Sequence, residues 1–310
     1  MRLGVEIGGS KLQLVLGDGQ GVIHERRKLT VARGEIAAGI RRQIEEALPD
    51  LLRGRKPDAV GVGFGGPVDW RAGKIACSHQ IEGWSGFDLA GWLRPLVGAP
   101  VVVENDSNLA ALGEATRGAG AGFNPVFYFN MGSGVGGGLV VNGAVYHGAP
   151  PGEVEFGHLR LDRSGTIVES RCSGWAVDKK IRQAVAAAPD SALSRLVRET
   201  AGGEARHLAA ALREGDALAQ RILSETVEDL AFALSHAVHL LHPAIIVMGG
   251  GLSLVGEPLR GAVAAVLPRF VMEAFLPPPP VCLAKLDEDA VPVGALCLAA
   301  SAKPSPHVSA

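Results

Sequence analysis

Hydrophobic and polar positions follow two rhythms along this 310-residue chain. Compact apolar runs over 3–7, 12–16, 59–64, 100–103, 126–130, 138–141, 244–248 and 281–286 have the length and β-type content of buried strands. A third strand of the opening meander ends near Lys28, and a short one covers 144–147. Longer stretches repeat apolar residues at helical spacing over 35–52, 107–117, 175–188, 191–200, 204–214, 217–241, about 257–274 and about 291–302. The mixture predicts an α/β fold. A strand, glycine turn, strand unit occurs twice, at Val5-Glu6-Ile7-Gly8-Gly9-Ser10-Lys11 and at Asn130-Met131-Gly132-Ser133-Gly134-Val135-Gly136-Gly137-Gly138. The chain is about twice a common domain length, so the repeat predicts two similar lobes. They cover 1–115, with the last helix (about 290–302) packing back on it, and 116–289. Residues 303–310 read as a disordered tail.

Composition narrows the classes. The 42 glycines cluster at the ends of apolar runs without a period of three, which marks tight loops rather than collagen. A formal net charge of -2 supplies no field that would draw nucleic acid or an anionic membrane, and it suits a small polar substrate. The basic runs Arg26-Arg27-Lys28 and Arg53-Gly54-Arg55-Lys56 read as solvated surface. The N-terminus has no charged segment followed by an apolar signal core, and no apolar run reaches membrane-spanning length. Cys77, Cys172, Cys282 and Cys297 are scattered without CxxC spacing. Together these features predict a cytoplasmic protein without disulfides or structural zinc.

Three segments carry candidate chemistry. Gly132-Ser133-Gly134-Val135-Gly136-Gly137 satisfies GxGxxG, but the dinucleotide fingerprint needs a helix after its glycines, and here β-type residues and an Asn142-Gly143 turn follow. The competing readings are a structural glycine hairpin and a hairpin whose freed N–H groups cradle phosphate; the second is favoured. Residues 4–11 are no Walker A loop, because they end Ser10-Lys11 rather than Lys-Ser. Asp106 follows an apolar strand and precedes a helix. It reads either as a plain N-cap or as a catalytic carboxylate at a strand end, beside an Asn105 amide able to fix a hydroxyl. Glu155 and His158, on a glycine-flanked loop, suit sugar hydroxyls, with plain surface polarity as the alternative. His236, His239 and His242 close an apolar helix and read as packing rather than as metal ligands.

Together these motifs resemble the ROK family, which groups bacterial sugar kinases with sugar-responsive repressors in the actin, Hsp70 and hexokinase superfamily. The resemblance rests on Glu6-Ile7-Gly8-Gly9-Ser10-Lys11, Gly65-Gly66-Pro67-Val68-Asp69, Glu104-Asn105-Asp106-Ser107-Asn108, 132–138, Glu155-Phe156-Gly157-His158 and Val247-Met248-Gly249-Gly250-Gly251. It implies two ribonuclease-H-like lobes with an interlobe cleft, and a glucokinase-like ATP-dependent hexose kinase acting at C6 with Asp106 as base. Gly66, Asn105, Glu155, His158 and, counting back from Ser173-Gly174, Glu169 would hold the sugar. Gly8, Gly9, Ser10, Lys11, Gly132, Ser133, Gly134, Gly249, Gly250 and Gly251 would hold ATP, and Glu6 would hold hydrated Mg²⁺ through water.

Three departures stand out. Glu6 replaces the family's usual Asp, and Gln80 stands where Asn is common. The ten residues between His158 and Glu169 include no cysteine, so the family's zinc segment is absent and no zinc is expected. A hexose and ATP are the expected partners, without nucleic acid or membrane, and a homodimer is the one assembly considered. The rival reading is a catalytically silent sugar-binding or sensing protein of the same family. A DNA-binding repressor is disfavoured because the first phosphate strand begins at Leu3.

Overall fold

A computed structural model describes residues 1–9, 11–32, 34–78, 81–149, 152, 154–200 and 202–302. Ser10, Gln80 and the tail over 303–310 lie outside the described residues. The first sheet starts as a meander, β1 (Arg2–Ile7), β2 (Lys11–Gly17) and β3 (Ile23–Thr30), and continues after α1 (Ala37–Leu52) with β4 (Ala59–Phe64). A small hairpin, β5 (Val68–Asp69) and β6 (Lys74–Ile75), and α2 (Leu89–Val97) precede β7 (Val101–Asn105) and α3 (Asp106–Arg117). Strand order is β3-β2-β1-β4-β7, antiparallel across the meander and parallel from β1 to β7. All six residues of β4 are buried, as expected for a parallel strand covered on both faces. One cover is α1, whose Ile40, Ile44 and Leu48 recur at helical spacing and join Leu3, Val5 and Val62 in the core.

The second sheet repeats this plan. β8 (Val126–Met131), β9 (Val135–Val141) and β10 (Ala144–Val145) form the meander; α4 (Val168–Cys172), α5 (Gly174–Val185), α6 (Ala192–Val197), α7 (Leu208–Arg213) and α8 (Ala217–Leu241) come next. β11 (Ile245–Gly249), α9 (Glu257–Val266) and β12 (Val281–Leu283) complete the order β10-β9-β8-β11-β12, with β8, β11 and β12 parallel. The repeat of strand order is the structural form of the repeated sequence signature.

Some elements differ from the sequence reading. The helix expected to reach 274 stops at Val266, because Pro268 lacks an N–H and disfavours helical geometry before it. The strand expected to reach 286 ends at Leu283. α2 and α4 had no counterpart in the sequence reading. α2 is short and opens on an Asp88 side chain that accepts from Gly91 N, and α4 spans little more than one turn. The three histidines make contacts within the fold: His236 stands edge-on to Phe232, His239 accepts from Met272 N, and His242 lies edge-on to Phe275. Among the described residues, no helix is long and apolar enough to cross a membrane.

The chain divides into two compact units. The first comprises Met1–Gly122, Gly138–Glu153 and the segment from Glu288; the second comprises Phe123–Gly137 and Val154–Asp287. This is more interleaved than a cut at 115. The reason is local: a Cβ on Gly138 would meet Ser107 and Ala111, so this part of β9 presses on α3, and β10 packs there too. The segment from Glu288 carries α10 (Ala290–Ala300), which lies against α3, β1 and β4. Glycines permit the approach, since a Cβ on Gly294 would run into the Leu109 carbonyl and one on Gly113 into the Ala290 carbonyl. Both obstacles are backbone and cannot rotate away. Gly294→Ala should therefore destabilise the first unit by about 1–3 kcal/mol or more, through overpacking. Urea unfolding checks this, and a midpoint equal to wild type would contradict the tight α3–α10 contact.

Candidate active site

Strand register brings three sequence-distant segments of the first unit to one edge. Ile7 pairs with Phe64 and Phe64 with Asn105, so β1, β4 and β7 end level at their carboxyl ends, where open α/β sheets carry ligands. Gly65 N donates to Ile7 O at 2.9 Å, and Gly8 N donates to Lys11 O at 2.8 Å, closing the first glycine hairpin. A Cβ on Gly65 would lie 3.3 Å from Asp106 Oδ2 and 3.6 Å from Gly8 Cα. The absence of a side chain at 65 thus lets the carboxylate sit directly over the glycine turns.

The helix-capping role belongs to Asn105. Its side-chain oxygen accepts from Ser107 N and Asn108 N at 2.9 and 3.2 Å, while Asp106 is the first residue of α3. The plain N-cap reading of Asp106 is therefore corrected, and its carboxyl is released from capping. Asn105 Nδ2 also donates to Gly66 O at 3.2 Å, which ties the 65–69 loop to the strand end and leaves one amide hydrogen. Asp106 as a residue is half-buried, but its carboxyl is enclosed by protein. Burial pushes its pKa from 3.8 up to about 6, against hydrogen bonds from Ser107 that favour the charged form.

Beneath it lies a residue that sequence reasoning missed. Glu104 is 1% exposed; Oε1 accepts from Asn105 N at 2.9 Å and from Asn108 Nδ2 at 3.0 Å, and Oε2 meets His147 Nε2 at 2.5 Å. The His147 ring in turn stacks on Trp70, with centroids 4.1 Å apart. A charged residue ending an apolar strand was the available signal, since a carboxylate is buried there only with partners.

Glu6 sits one residue before the strand edge, level with Gly63 and Glu104. Gln13 Nε2 donates to its Oε2 at 2.5 Å. Burial raises the Glu6 pKa; the Gln13 bond and Lys11 oppose the rise, and Asp106 and Glu288 add to it. Gln13 Oε1 is buried without a hydrogen-bond partner among the described residues. A carboxylate, an unpartnered amide oxygen and the neighbouring Asp106 charge form an all-oxygen set, which fits the hard-ion preference of Mg²⁺. Among the described residues there is no cluster of three His, Cys, Asp or Glu suited to hold a metal by themselves. Lys11 is exposed.

In the second unit, Gly132 N donates to Gly134 O at 2.9 Å, and Asn130 Oδ1 accepts from Gly136 N at 3.0 Å, shaping the second glycine hairpin. Asn130 is level with Gly249 at the end of β11, and Gly250, at φ 83°, approaches so closely that a Cβ would strike the Met131 backbone. Gly251 begins a 3₁₀ turn, Gly251–Val255. Glu155 precedes another, Phe156–His158, and His158 ends it; both are exposed, and buried Phe156 anchors them by packing on Phe127 and Phe129. The carboxylate of Glu169 accepts from Val135 N at 2.9 Å, so one of its oxygens is already engaged by the hairpin.

Comparison with known proteins identifies the family. A sequence model described as the ROK family matches residues 2–302. A glucokinase of Thermotoga maritima is 29% identical, over 94% of this chain and 95% of its own. A glucokinase of Streptomyces coelicolor is 30% identical, over 98% and 99%. Among solved structures, a ROK family glucokinase from Streptomyces griseus in complex with glucose and AMPPNP superposes with a TM-score of 0.82 at 30% identity, covering 97% of this chain and 99% of that one.

The raised pKa of Asp106 has a stability consequence. Its neutral form is favoured in the fold, so the associated stability is complete below pH 3.8 and lost as pH rises through about 6. Asp106→Asn removes the titration. The variant should therefore melt higher than wild type above pH 6, on the order of a few degrees, and the gap should close toward pH 4. Thermal unfolding across pH tests this, and a gap that is constant with pH would contradict the burial.

Proposed function

Because the chain belongs to the ROK family, we propose that it is an ATP-dependent hexose kinase that transfers the γ-phosphoryl of ATP to the C6 hydroxyl, with Asp106 as base. The observation that carries the reading is the enclosed Asp106 carboxyl, raised to about 6 and set over the Gly65 turn beside the Gly8 hairpin. A base titrating just below neutral pH combines availability with proton affinity. The glucokinase names of two relatives, and the glucose and AMPPNP held by the S. griseus structure, support the substrate pair.

In this mechanism Asp106 hydrogen-bonds the sugar hydroxyl and takes its proton as the oxygen bonds to the γ-phosphorus and the bond to the β–γ bridging oxygen breaks, releasing ADP. Phosphoryl transfer depends on positioning and charge neutralisation, so most of the remaining residues orient. Asn105, with one amide hydrogen left, and Gly66 hold the sugar near Asp106, and Glu155, His158 and Glu169 take other hydroxyls. N–H groups of Gly9, Ser10 and Lys11 and of Ser133 and Gly134 donate to phosphate oxygens, while Gly8 and Gly132, whose own N–H groups close the two turns, leave room for the phosphates to approach. Gly249, Gly250 and Gly251 leave room for the adenosine. Glu6 would hold hydrated Mg²⁺ through water, and the ion would supply neutralisation of the phosphate charge.

A second reading, a sugar-binding protein without turnover, draws on Glu6. Desolvation favours its neutral form, which would weaken its hold on a cation.

ADP release with Mg²⁺ and ATP over glucose, fructose, mannose, N-acetylmannosamine and N-acetylglucosamine separates the two. At least one sugar should be turned over, and Asp106→Asn should lower kcat by about 10²–10⁴ with sugar affinity changed far less. Calorimetric hexose binding without ADP release from any sugar would install the silent reading. Glu6→Asp should stay active with strict Mg²⁺ dependence, whereas Glu6→Gln, which keeps length but loses charge, should lose most activity. Equal Mg²⁺ response in Glu6→Gln and wild type would remove Glu6 from the metal's surroundings.

A further inference from the structure

The glycine hairpin over 132–135 is gripped from one elbow of the same unit. At the junction of α4 and α5, Gly174 N donates to Gly132 O at 2.8 Å, and Glu169 Oε2 accepts from Val135 N at 2.9 Å. The two contacts hold both ends of the turn. Each needs a glycine: a Cβ on Gly134 would run into Glu169 Oε2, and a Cβ on Gly174 would lie 2.9 Å from Gly132 O. The elbow is itself fixed, since Ser173 N donates to Glu169 O at 3.1 Å and the Ser173 side chain caps α5 at Ala176 N, also at 3.1 Å. Glu169 Oε1 takes no hydrogen bond from the described residues.

We propose that the Glu169–Gly174 elbow is a clamp that sets the shape of the second phosphate loop, with Glu169 as a positioning residue that bridges this loop and the sugar. The proposal rests on the kinase reading for what the loop binds. A loop that presents N–H groups to a polyphosphate gains affinity when its backbone is pre-arranged, because the ordering cost is met before the ligand arrives. The clamp therefore acts on nucleotide affinity even when sugar is absent. A residue that only took a sugar hydroxyl would have no such effect. If Glu169 Oε1 takes a sugar hydroxyl, the same side chain links sugar occupancy to loop geometry, and sugar and nucleotide should each tighten the other.

The test is calorimetric binding of Mg²⁺–AMPPNP without sugar, and of glucose without nucleotide, to the full chain. Glu169→Ala and Gly174→Ala should each weaken AMPPNP by about tenfold, the scale of one lost hydrogen bond to a constrained backbone. Gly174→Ala pushes its methyl against the Gly132 carbonyl but leaves the sugar-binding side chains in place, so its glucose affinity should match wild type while its melting temperature falls. Glu169→Gln should rescue nucleotide binding to within about threefold, because an amide oxygen can accept from Val135 N. AMPPNP affinity within about twofold of wild type in both alanine variants would overturn the clamp, and loss of glucose affinity alone in Glu169→Ala would reduce Glu169 to a sugar ligand. Failure of the kinase reading appears separately. Wild type that binds AMPPNP but releases no ADP with any hexose leaves the clamp standing, whereas wild type that binds no AMPPNP removes both.

Discussion

The level ends of β1, β4 and β7 are the constraint on which the first unit's chemistry depends. Parallel pairing sets Ile7, Phe64 and Asn105 in one row, so the residues next along the chain from each strand emerge at the same edge. Those residues form a glycine turn after β1, a second glycine turn after β4 and a carboxylate after β7. The Gly65 N to Ile7 O bond and the Asn105 Nδ2 to Gly66 O bond then hold these three loops together. A one-residue slip of β7 would reverse every side chain on it and carry Asp106 away from the turns, which is why the apolar pattern of 101–103 matters to the site.

Charge burial is the cost of that placement. Glu6, Glu104 and Asp106 stand close to one edge of a sheet, and an unpaired carboxylate inside a protein is unfavourable. Each is handled differently. Glu104 is fully paired, with two amide donors and His147; Glu6 has one amide donor and a raised pKa; Asp106 takes hydrogen bonds from Ser107 and its own backbone, which burial outweighs, leaving a pKa of about 6. That value suits the proton exchange proposed for this residue. A well-satisfied Asp106 would be a poor base.

Much of this was legible in the sequence, and the misses share a cause. The long amphipathic elements and the doubled strand, glycine turn, strand signature predicted both sheets, because burial on one face leaves a periodic trace. Glycine clusters predicted tight loops, and the close approaches at Gly65 and Gly250 appear only in the structure. Periodicity does not carry partnership. Asn105 and Asp106 are adjacent and both can cap a helix, and only the backbone geometry assigns the cap to Asn105. Glu104 and His147 are far apart in sequence, so nothing local announces their pair. Glu169 was placed by its distance from Ser173-Gly174, which gave its position but not its bond to Val135. The short α2 and α4 escaped because one or two turns bury too few residues to show a period.

Asp106 as the group that meets the reacting hydroxyl is the centre of the account, and a crystal structure of the chain with glucose and AMPPNP tests it most directly. A sugar hydroxyl oxygen should lie within hydrogen-bond reach of an Asp106 carboxylate oxygen, about 2.6–3.2 Å, with its in-line face toward the γ-phosphorus. Glucose bound with no hydroxyl near Asp106 would contradict the account.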